Sequence, residues 1–90
     1  MNYYDKRTDV RQVVEAALLK EAKKRYLTDG LQWIANERIA MVDAANLWQA
    51  RNGIGQPVNL DMVEAVESRA CGHVDYVQKM ALYVSELVLP

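Results

Sequence analysis

His73 is the one histidine of the chain, and Cys71, two residues before it, is the one cysteine. An imidazole titrates near neutrality and a thiolate is both nucleophile and metal ligand, so chemistry is sought here first. The two are too close for the usual structural zinc spacing, and no second Cys or His completes a site, so no metal is expected. Arg69 precedes His73 by one helical turn and shares its face. The pair reads either as a polar ligand site at a helix interface or as a partly buried pair that sets packing register; the second is the simpler account.

The remaining candidates are weaker. Asp61, Glu64 and Glu67 share a helix edge, but no calcium-loop pattern or partner histidine accompanies them, so they read as a solvated face and not as an acid–base pair. Ser68 and Ser85 sit in no nucleophile turn, which leaves a Ser/His/Asp triad without a scaffold. Gly53 and Gly55 precede a helix without the rest of a phosphate-loop pattern and read as a connector. No catalytic residue and no cofactor is expected.

Two surfaces remain. Lys20, Lys23, Lys24 and Arg25 form the basic cluster of the chain, close to Tyr26 and Trp33. Cations for phosphates with aromatics for stacking would suit a nucleic acid, although basic residues also complement the carboxyl end of a helix. The second surface is aromatic. Tyr76 and Tyr83 lie one heptad apart and follow Met62 and Arg69 along one flank, which widens that helix's apolar arc to roughly half its circumference. With Trp33 and Trp48 on different stripes of another helix, and with Arg69 and His73, they make the candidate partner-binding set, since aromatics, Met and Arg are favoured at interfaces.

These residues must be positioned by helices. A first segment is expected from about 9 to 28, opening at Thr8-Asp9, with Val10, Val14, Leu18, Ala22 and Tyr26 in a row at spacing four. Such a row slants across the helix, so this element should cross its neighbours. Asp29-Gly30 would also suit a tight hairpin turn between Tyr26 and Trp33, but helical periodicity on both sides favours a break between helices. The second segment, about 31–51, carries two stripes, Ile34/Met41/Ala45/Trp48 and Trp33/Ala40/Ala44/Leu47. It therefore reads as the central helix, or as one with an intermolecular face.

Asn59 is an N-cap candidate for the third segment, with Asp61 in the first turn and Val58 placed to staple onto Val63. Val63, Val66, Ala70, His73, Val77, Met80, Val84 and Leu87 then alternate spacings of three and four. The phase does not slip at Gly72, which predicts one unbroken helix from about 60 to 88 with an acidic back of Asp61, Glu64, Glu67, Asp75 and Glu86. The expected fold is all-α, a three-helix antiparallel arrangement in which a long hairpin (about 31–51 and 60–88) is crossed by the N-terminal helix.

Ninety residues, 51% hydrophobic and 26% charged, fit one domain over 1–90 that is neither disordered nor membrane-embedded. No apolar run reaches the roughly 20 residues a bilayer requires, Met1 to Arg7 lacks the apolar stretch of a secretory leader, and a lone cysteine suits a reducing compartment, so a cytoplasmic location is expected. Net charge of −1 argues against a generic polyanion binder, yet residues 1–30 carry seven basic and five acidic side chains and 57–90 only two and five. A domain this small buries only about 60% of its unfolded surface, and association is one way to add core. A short, motif-free chain also fits a bacterial or phage source. The functional expectation is a non-catalytic helical protein that binds another macromolecule, as inhibitor, adaptor or assembly component, and forms a homo-oligomer. A nucleic-acid-associated regulator and a small-ligand binder with its pocket at a subunit boundary are the alternatives.

Overall fold

The computed structural model describes residues 3–90, with side chains from Lys6 onward. The first two residues of the segment read as lacking a leader lie outside the described residues. The chain is all-α: α1 (Tyr3–Ala22), a single 3₁₀ turn (Arg25–Leu27), α2 (Gln32–Asn52), α3 (Leu60–Ala70) and α4 (Tyr76–Val88).

Helix α1 packs against both α2 and α4 and is the central element, a position the sequence suggested for α2. Its row at spacing four works as expected as far as Leu18: Val10, Val14 and Leu18 are wholly buried. The helix begins before Thr8-Asp9, which lie inside it, and ends at Ala22. Tyr26 consequently leaves the row and stands 84% exposed on the connector. That connector is a 3₁₀ turn followed by Gly30 in the left-handed region (φ 61°), and no strand pairs Tyr26 with Trp33 among the described residues.

Helix α2 buries one stripe, Met41, Ala45 and Trp48, against α1. Of its other stripe Leu47 is half exposed, while Trp33, Ala40 and Ala44 are partly buried. Gly53 (φ 67°) closes the helix in the left-handed conformation and donates its N–H to the Gln49 carbonyl, a cap that glycine adopts without steric cost. Asn46 then ties down the following loop, since its side-chain amide donates to the Val58 carbonyl and its oxygen accepts from the Val58 N–H. Gly55 (φ 83°) lies so close to the end of α4 that a Cβ there would stand 2.7 Å from the Val88 carbonyl oxygen. That carbonyl accepts from the Gln56 N–H, and the Leu89 carbonyl accepts from Arg7 Nε, which fastens the carboxyl end to two distant segments.

Asn59 caps α3 as expected, accepting from the Met62 N–H at 2.9 Å, and Val58 and Val63 are both buried. The unbroken third helix is overturned. The chain turns at Cys71–Asp75, with Gly72 at φ 84°, and separates α3 from α4. In one continuous helix Arg69 and Tyr83 would lie about 21 Å apart along the axis. Instead the Arg69 guanidinium sits 4.3 Å from the Tyr83 ring centroid, so α4 folds back beside α3. The physical reason is burial: the corner lets Met80, Ala81, Val84 and Val88 meet α1 while Val63, Val66 and Ala70 also enter the core. Each large side chain so buried contributes about 1.5–3 kcal/mol, which outweighs a single left-handed glycine.

Candidate functional site

The break in the third segment and the connector after α1 together build a cleft. Its volume is about 250 Å³, and Arg25, Trp33, Ile34, Glu37, Glu67, Cys71 and Tyr76 line it. Four segments contribute: the 3₁₀ turn, the first turns of α2, the end of α3 and the start of α4. The walls are mostly apolar and aromatic, with charged groups held at fixed positions.

Glu37 anchors the site. It is 2% exposed, and both of its oxygens accept hydrogen bonds from Arg25, at 2.6 Å from Nε and 2.8 Å from Nη2. The same guanidinium lies 4.6 Å from the Trp33 ring centroid, a cation–π stack that covers one face of the indole. Hydrogen bonding to Glu37 raises the Arg25 pKa further above its ordinary value, against the opposing effect of burial. A second fork joins α2 to α3, where Arg38 donates to both oxygens of Glu67 at 2.8 Å and its pKa is likewise raised by that bond. Tyr76 stands half-buried beside these carboxylates; burial first, then the charges of Glu67 and Glu37, pushes its phenol up to about 12. Cys71 is exposed at the lip.

The nominated residues divide. Trp33 and Tyr76 meet at the cleft. Arg69 and Tyr83 meet each other, the exposed guanidinium covering the half-buried ring. Met62 is half-buried and packs onto the core. Trp48 belongs to the core itself: it is 5% exposed, and its indole N–H donates to Asp9 at 2.9 Å, which takes it out of the partner-binding set. His73 also departs from expectation. Because the helix breaks, it leaves the apolar seam and stands exposed in the α3–α4 turn. The basic cluster loses Arg25 to Glu37, and Lys24 pairs with Glu21 at 3.5 Å, leaving Lys20 and Lys23 as exposed cations at the end of α1. Glu67, assigned to a solvated acidic back, is instead the partner of Arg38.

Glu37 was missed, and a signal for it existed. The buried stripe of α2 runs Ile34, then Met41, Ala45 and Trp48, and Glu37 fills the empty slot at helical spacing between the first two. A charged residue in an apolar stripe implies a buried partner. Which cation supplies it is a tertiary matter.

The most exposed large apolar side chains among those described stand on the segments that border the cleft. Tyr26, Leu27 and Leu31 (84%, 76% and 73% exposed) stand on the connector side, and Val74 is fully exposed on the α3–α4 turn. Among the described residues no group of three His, Cys, Asp or Glu is arranged to hold a metal, and no helix is long and apolar enough to cross a membrane. No protein-family model matches the chain, and comparison with curated proteins and with solved structures gives no match.

Proposed function

We propose that this is a non-catalytic interaction protein that acts by docking onto a protein surface, as an inhibitor, adaptor or assembly component, through the cleft end of the bundle. One observation carries the reading: exposed Tyr26, Leu27, Leu31 and Val74 stand on the segments that border an apolar cleft whose Arg25, Glu37 and Glu67 are each already paired, the last with Arg38 outside it. Isolated exposed apolar residues are ordinary, but several large ones around a concavity mark an interaction surface. The paired charges keep the cleft rigid and give it polar edges that orient a partner.

A photo-crosslinking amino acid placed at Leu27, and separately at exposed Gln12 on α1, tests the reading in the cell of origin. Adducts to protein from position 27 and not from 12 are the expected result. No adduct at 27, or equal labelling at both positions, would overturn it. The alternative of a small apolar ligand draws on the same cleft, and a saturable rise in melting temperature with such a compound would favour it.

A further inference from the structure

From the geometry of the cleft end we infer that its occupant is a second copy of this chain, related by a twofold axis, with the Tyr26 ring of each protomer seated in the cleft of the other. The inference rests on the docking reading and names its partner. A twofold interface needs a surface that carries both a projection and the hollow that accepts it, so that each is used twice. Here the two are neighbours. Arg25 lines the hollow, and the next residue, Tyr26, is the most exposed aromatic from Lys6 onward, on a turn that buries none of its own side chains.

The hollow suits a tyrosine in size and polarity. A volume of about 250 Å³ corresponds to about eight waters of liquid, enough for one aromatic ring and its contacts. Trp33, Ile34 and Tyr76 supply apolar walls for the ring. A buried phenol also needs a hydrogen-bond partner. The carboxylates of Glu37 and Glu67 provide acceptors: each oxygen takes one bond from an arginine and keeps a second lone pair. Leu27, beside Tyr26, would leave those acceptors unused.

Charge points to the same pairing. The connector side of the cleft carries exposed Lys23, with Lys24 beside it held by Glu21, and the opposite side carries exposed Glu64, with Asp75 beyond it at 3.9 Å from Lys79. Insertion of Tyr26 brings the lysine side of one protomer to the acidic side of its mate, and the twofold repeats the contact. Like-charged rims would instead oppose the approach. Two other grooves, one of about 500 Å³ lined by Val42, Val58, Asn59, Leu60 and Asp61 and one of about 150 Å³ between α1 and α2 lined by Val13, Ala44, Leu47, Trp48 and Arg51, have no exposed aromatic among the described side chains next to their lining residues in the chain.

Sedimentation equilibrium from micromolar to millimolar protein tests the inference. The wild-type chain should approach twice its 10.3 kDa mass as concentration rises. Tyr26→Ser should weaken association on the order of 10²–10³-fold, because two central aromatic anchors are lost together. Tyr26→Phe should weaken it about 10-fold through the lost hydroxyl bonds, and Leu47→Ser, on the groove between α1 and α2, should leave it unchanged. Since Tyr26 is exposed in the single chain, the dilute Ser variant should melt as the wild type does. A wild-type chain that keeps the mass of one copy at millimolar concentration overturns the inference, as does a Ser variant that associates as strongly as wild type. Failure here is distinguishable from failure of the docking reading: crosslinks from position 27 to a different protein would keep that reading and refute the second copy.

Discussion

Replacing Gly55 by alanine should destabilise the fold by about 3 kcal/mol, far more than the loss of one unstructured loop residue would suggest. Two costs add. The backbone stands at φ 83°, where a side chain is disfavoured by about 1–2 kcal/mol. The new methyl would also meet the Val88 carbonyl oxygen at 2.7 Å, Val88 Cγ1 at 2.9 Å and Leu89 Cδ2 at 3.1 Å. The nearest of these is backbone and itself accepts from the Gln56 N–H at 2.9 Å, so relief requires moving the end of α4 or loosening that bond. Overpacking of this kind costs about 1–3 kcal/mol. Gly53 is the internal control, with φ 67° and nothing within 4 Å of its added Cβ, so Gly53→Ala should show the backbone cost alone. In urea the midpoint should fall with little change in slope, and in a thermal melt Gly55→Ala should lower the midpoint on the order of 10–20 °C. Equal losses for the two alanines would refute the claim that close approach to Val88 fastens the carboxyl end.

The Arg25–Glu37 fork should be asymmetric. Arg25→Gln leaves the buried carboxylate without its cation and should cost about 3 kcal/mol, whereas Glu37→Gln frees an arginine side chain already 39% exposed and should cost about 1–2 kcal/mol; similar urea midpoints for both variants would contradict this. Tyr76 should titrate near pH 12 in the folded protein, against 10 for an ordinary phenol, as a late step in absorbance at 295 nm. Because its folded pKa lies above the unfolded one, its contribution to stability is fully present below pH 10 and is lost as pH rises toward 12, so urea midpoints should decline across that window. Tyr76→Phe should remove the late step, and its persistence would reassign the shift. Gly72→Ala, at φ 84° with open space around it, should cost about 1–2 kcal/mol while nuclear Overhauser contacts between Arg69 and Tyr83 survive. Their disappearance would mean that core burial does not hold the corner.

Local signals carried much of the fold. The buried rows Val10/Val14/Leu18 and Met41/Ala45/Trp48, the Asn59 cap, the Gly53 stop and the all-helical class are all legible because helical periodicity and capping act over three or four residues. The error at Gly72 has a specific origin. The apolar residues of α3 and α4 keep one heptad phase across the turn, so periodicity alone could not separate a continuous helix from two helices that each bury the same stripe. His73 was misplaced for that reason and for no other.

The cleft was legible only in fragments. Trp33 and Tyr76 stood out as interface-type residues, and Glu37 as a charge in an apolar stripe was there to be read. Their meeting depends on the chain reversing at Cys71–Asp75 and on Arg25 turning inward from its 3₁₀ turn. The sequence by itself determined which faces are apolar, where α2 and α3 start and that no long apolar span is present, since these follow from short-range spacing and composition. Tertiary structure alone decided which buried charge meets which arginine, that Trp48 is core, and that Tyr26 stands free beside a hollow. Those outcomes depend on contacts between residues far apart in the chain, where burial and electrostatic pairing are settled only once the helices have packed.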